Sequence, residues 1–153
     1  MISANIYFKN DYLFVAPSAT TDRGIGLVYF PIEKIMIDST CHDIGEAILR
    51  AFQNNAVGIP NDIKGSELLT PLFNAMGVRS WKAVTKGTKF MGVTIRNDTY
   101  LFWPTHNQGA RNGYVPLNDL IIQLSAPLTP AEIGQKVLEC LSLSIDDIGV
   151  SQR

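Results

Sequence analysis

Stretches rich in apolar and aromatic residues flank Asn10-Asp11, and the same is true of Asn97-Asp98. Asn-Asp between such stretches is turn chemistry that joins two strands, so each half of the chain is expected to open with a hairpin. The order that follows is shared. Asn10-Asp11-Tyr12-Leu13-Phe14 is echoed by Asn97-Asp98-Thr99-Tyr100-Leu101-Phe102, with one extra residue at the second turn. Tyr29-Phe30-Pro31-Ile32 and the apolar stretch ending Ile35-Met36-Ile37 are echoed by Tyr114-Val115-Pro116-Leu117 and Leu120-Ile121-Ile122. Thr40 to Leu49 then matches Thr129 to Leu138 without a gap. Three collinear matches point to an internal repeat.

Helical spacing replaces strand character after each Thr. Ile44, Ile48, Ala51 and Phe52 form one apolar stripe, and Ile133, Val137, Cys140 and Leu141 fall at the equivalent positions. Thr129, Pro130 and Glu132 write a capping box with proline at the first helical position, and Thr40 with Asp43 is a weaker version of it. Gly45 and Gly134 sit in the first turns, where glycine costs about 1 kcal/mol relative to alanine; close approach of a strand would explain both. The pattern predicts strands near 4–8, 12–16, 25–30 and 33–38 and a helix near 41–54. Strands near 89–96, 100–104, 112–116 and 119–124 and a helix near 130–142 follow. The expected fold class is therefore α+β: two related ββββα units, about 1–56 and 81–143, whose antiparallel sheets pack with helices in a single domain spanning 1–153.

Between the units, Gly58-Ile59-Pro60 reads as a break and Ser66 to Met76 as a helix that Gly77 terminates, with Pro71 kinking it or starting its second half. Trp81-Lys82-Ala83-Val84-Thr85 is read as a ninth strand. The tail from Ser144 to Arg153 shows no periodicity.

With 153 residues, 46% hydrophobic and 18% charged, the chain has a globular balance and enough length to bury a core without metals or disulfides. Its formal charge of -1 selects no partner. The first residues carry no export signal and no run approaches the roughly 18 apolar residues of a membrane span, so a cytoplasmic protein with Cys41 and Cys140 as free thiols is expected.

Catalytic chemistry is sparse. His42 and His106 are the only histidines, which excludes a site of three histidines within one chain. His42, in a first helical turn, reads as a capping or surface residue. Gly24-Ile25-Gly26 leads into a strand rather than a helix, so it is no dinucleotide fingerprint. A Cys140–His106 nucleophilic pair is disfavoured because Cys140 occupies the position of core-facing Ala51. No catalytic residue, metal or cofactor is assigned, and a hydrolase built from distant residues is the residual alternative.

Between Glu67 and Asp98 there is no acidic residue, whereas Arg79, Lys82, Lys86, Lys89 and Arg96 are basic. Interleaved with Trp81 and Phe90, they suggest either a nucleic-acid surface or ordinary solubility and edge protection, the second reading being favoured. The polar run from Thr105 to Asn112 is too long for a tight hairpin. As a loop it offers His106, Asn107, Gln108 and Arg111 for recognition, with Arg23 on the corresponding loop, Pro17 to Gly24, as a further candidate; a merely solvated connection is the competing reading.

The helix Ile44 to Ala51, the stretch Pro71 to Trp81 and the start Lys86-Gly87-Thr88-Lys89 resemble contact-dependent growth inhibition (CDI) immunity proteins. The resemblance covers roughly residues 5–125, and Gly77-Val78-Arg79-Ser80-Trp81 is its most distinctive part. It implies a bacterial cytoplasmic protein that binds and neutralises the C-terminal toxin domain, often a nuclease, of a large secreted effector. It carries over no site residue. The near-neutral charge departs from the acidic character expected of a decoy for a basic nuclease. The repeated pattern also resembles the Whirly architecture, whose best-known members bind single-stranded DNA; a single-stranded nucleic-acid binder using 79–96 is the alternative function.

Overall fold

The computed structural model describes residues 1–147; the last part of the tail lies outside them. The two Asn-Asp turns are left-handed at both central residues, the conformation a two-residue hairpin turn requires. The first joins β1 (Ile2–Lys9) to β2 (Tyr12–Thr21) and the second joins β6 (Lys89–Arg96) to β7 (Thr99–Asn107). The two hairpins meet along an antiparallel β1–β6 pairing centred on Asn5 and Gly92. Short strands extend the outer edges: β3 (Gly26–Val28) and β4 (Glu33–Met36) on β2, and β8 (Tyr114–Pro116) and β9 (Ile122–Ser125) on β7. The result is a single α+β domain in which a curled, mainly antiparallel half-barrel packs against α1 (Cys41–Gln53) and α5 (Pro130–Leu143).

Alternation along the strands separates two faces. Ala4, Ile6, Leu13, Val15, Met91, Val93, Tyr100 and Phe102 join Ile44, Ile48, Ile133 and Val137 in the principal core beneath the helices. Tyr7, Phe14 and Phe90 point to the other face, where α2 (Gly65–Met76) and the one-turn helix α3 (Trp81–Thr85) supply Leu72 and Val84. Both capping predictions hold. Thr129 and Glu132 exchange their bonds, and Thr40 Oγ1 accepts from the Asp43 amide.

Several expectations change. Gly45 and Gly134 admit a helix, not a strand: a Cβ on Gly45 would overlap the Pro130 carbonyl, and one on Gly134 the Cys41 carbonyl. The first turns of α1 and α5 therefore cross backbone to backbone. Trp81–Thr85 is helical because the Ser80 side chain caps it, accepting from the Ala83 amide. The Gly58 break lies inside β5 (Ala56–Ile59), which pairs in parallel with the end of β2. β2 and β7 run further than expected, so Pro17–Thr21 and Thr105–Asn107 are strand rather than loop. The remainder of the second polar run is a short helix, α4 (Gly109–Asn112).

Candidate partner-binding surface

Asn107 organises one end of the sheet. Fully buried, it donates its side-chain amide to the carbonyls of Thr85 (2.6 Å) and Thr88 (2.9 Å) and accepts from the Gly109 amide at 2.9 Å. Its backbone amide donates to Ile145, whose own amide donates to Thr105. One side chain thus ties the end of α3, the start of β6 and the start of α4 together, while the backbone draws in the segment after α5. Asn107 was a candidate contact from sequence; its hydrogen-bonding groups are consumed inside the protein, so it positions the surface without belonging to it.

On this frame α4 lies against α3. Arg111 and Asn112 are exposed on α4, Lys82 on α3, Lys86 immediately after it and Arg79 in the turn before it. Lys9, at the end of β1, donates to the Lys86 carbonyl. Burial lowers the Lys9 pKa below the ordinary lysine value, Asp147 opposes the shift and Lys86 adds to it. The Asp147 carboxylate accepts from the Gly87 amide at 2.7 Å. Among the described residues the ion pairs are His42–Glu46, Arg50–Glu33 and Lys136–Glu139, and none involves a basic residue at this end.

Under the basic rim sits an aromatic cluster. Trp81 meets Tyr114 edge-on at 6.3 Å between centroids, and Tyr114 packs on Phe90 at 5.0 Å and on Tyr7 at 6.1 Å. Burial raises the pKa of both Tyr7 and Tyr114, so the phenols stay neutral. Phe90 is buried and Trp81 is half-buried against Tyr114. Neither presents an open ring for a base to stack on.

The structure therefore joins Arg111 to Arg79, Lys82 and Lys86, residues assigned to separate features by the sequence. Gln108 is half-buried beside them, its backbone amide donating to the Gly113 carbonyl, and His106 is half-buried where β7 meets β8. The other candidates lie elsewhere. Lys89 points to the helix side and its ammonium donates to the Leu141 carbonyl at 3.3 Å. Arg96 is at the far end of β6. β2 and β7 run antiparallel to one another, so Arg23, exposed beyond the end of β2, belongs to the opposite end of the sheet. The five basic residues of 79–96 do not share one strand face. Lys9 and Asp147 were missed: one borders a turn and the other lies on the aperiodic tail, and only the tertiary fold brings them together.

No helix among the described residues is long and apolar enough to cross a membrane, and none of their His, Cys, Asp and Glu side chains gather in a group able to hold a metal ion. No family model matches the chain, and no curated protein matches it in sequence. Solved structures do match in fold. A Neisseria meningitidis protein of unknown function superposes with a TM-score of 0.78 at 14% identity, covering 94% of each chain. A chain of the CdiA-CT/CdiI toxin and immunity complex from Yersinia pseudotuberculosis superposes with a TM-score of 0.72 at 15% identity, over 94% of this chain and 97% of that one.

Proposed function

We propose that this chain is an immunity protein that binds the C-terminal toxin domain of a cognate contact-dependent growth inhibition effector in the bacterial cytoplasm. It neutralises the toxin by protein–protein binding, with no catalysis of its own. The observation that carries this reading is the similarity, over nearly the whole of both chains, to a chain of a CdiA-CT/CdiI complex. The sequence resemblance through Gly77-Val78-Arg79-Ser80-Trp81 points the same way. Fold alone does not license function, so the test is biological. The toxin domain encoded by the upstream effector gene is expressed in a sensitive host with and without this protein, and complex formation is measured by calorimetry. Rescue of growth with a stoichiometric complex is expected; continued killing and no heat of binding would discard the reading.

The two halves are, in this proposal, copies of one Whirly-like ββββα unit. Supporting it, β4 sits on β2 as β9 sits on β7, and β3 and β8 occupy corresponding places. β5 follows α1 and pairs in parallel at Ala19; Ile145 follows α5 and bridges in parallel at His106. Interstrand NOEs placing Asn5 opposite Gly92 at the centre of β1–β6 are expected, and a shifted register would contradict the copying.

A further inference from the structure

We propose that the end of the half-barrel built by α3 and α4 is a docking surface for an acidic protein face, with Lys82, Lys86 and Arg111 as its principal contacts. This deepens the immunity reading and rests on it for the identity of the partner, while the surface chemistry stands on four separate observations.

The first is charge placement. Lys9, Arg79, Lys82, Lys86 and Arg111 gather at one end, with Asp147 among them, in a chain whose formal charge is -1, so the other residues together carry a net negative charge. A partner with complementary charge is steered to that end and repelled elsewhere. Availability is the second. Arg79, Lys82, Lys86 and Arg111 are exposed and take part in no ion pair among the described residues.

The third observation is that this end already holds a carboxylate. Asp147 is seated on the Gly87 amide with Lys9 beside it, which is the chemistry an incoming Asp or Glu would find at the neighbouring lysines and at the Arg111 guanidinium. The fourth is rigidity. α3 is capped by Ser80 and tied to α4 through Asn107, so the cationic groups are carried on a fixed backbone and less ordering is needed when a partner binds. Nucleic acid fits less well, because the aromatic rings beneath the rim are packed against one another and the seated Asp147 carboxylate repels phosphate.

The experiment compares the full-length protein with the triple variant Lys82→Glu, Lys86→Glu, Arg111→Glu and with Arg23→Glu at the opposite end. Binding of the toxin domain from the adjacent effector gene is followed by calorimetry at several salt concentrations. The triple variant is expected to bind roughly 30-fold or more weaker, and with a flatter salt dependence, whereas Arg23→Glu stays within about threefold of wild type. Near wild-type affinity in the triple variant, with its circular dichroism spectrum unchanged, overturns the surface but leaves the immunity function standing. If the wild-type protein does not bind that toxin, the immunity reading fails and two probes decide the surface by themselves. Salt-sensitive binding of a poly-glutamate peptide, lost in the triple variant, supports it; preference for single-stranded oligothymidylate, or binding of neither probe, overturns it.

Discussion

Gly45 and Gly134 show how much a single hydrogen atom in place of a methyl group can decide. Alanine favours a helix over glycine by about 1 kcal/mol, yet here each glycine faces the backbone carbonyl of the opposing helix. Gly134→Ala is therefore expected to destabilise the protein by about 2–3 kcal/mol, as overpacking does, in urea unfolding. A gain in stability would mean the helices do not cross so closely. Asn107→Ala should cost a similar amount, about 2–3 kcal/mol, because it removes the shorter bond to each of two buried carbonyls and leaves the buried Gly109 amide without its acceptor. The tyrosines set an alkaline limit. Burial raises the folded pKa of Tyr7, Tyr100 and Tyr114 above the unfolded value of 10. Their contribution is complete below pH 10 and is lost as the pH climbs through the folded values, because only the unfolded chain then ionises easily. Melting temperature should fall steeply above pH 10, with the phenolate absorbance of these residues appearing only on unfolding; early ionisation in the folded state would contradict the burial. The glycines were legible as points of close approach, but periodicity tells which face is covered and not by what.

Among the elements, α3 was the least legible. Trp81 to Thr85 is too short for a two-residue period and a helical one to be told apart, and the Ser80 cap decides the matter. Ser80→Ala should cost about 1 kcal/mol and expose the Lys82 and Lys86 bonds to trypsin. Unchanged protease resistance would show that packing of Val84 alone holds the turn. The ends of β2 and β7 were hidden for another reason. Their last residues are polar and pair with strands of three or four residues, so no long apolar alternation marks them. The helices α1 and α5 were legible almost to the residue, since a cap at the start and an amphipathic stripe agree on the same segment.

For the whole molecule, the near-zero formal charge conceals how the charge is distributed. Only the folded chain places Arg111 beside residues of α3 and sends Lys89 and Arg23 to other surfaces. That placement depends on long-range pairing. The central β1–β6 contact joins residues roughly as far apart in the chain as the two hairpins, and α1 meets α5 across the same divide. Closing such a loop is entropically costly before any of its contacts form, so folding should be slow for a domain of this size. The same seam makes the molecule divisible. Cutting the chain at the exposed turn around Asn61 and Asp62 would leave β1–β5 with α1 on one fragment and the rest on the other, each with an unpaired central strand and half a core. Alone, neither fragment should give the dispersed NMR spectrum of a folded domain; mixed, they should reassemble through β1 and β6 into a functional heterodimer, making this fold a natural two-part reporter for molecular proximity.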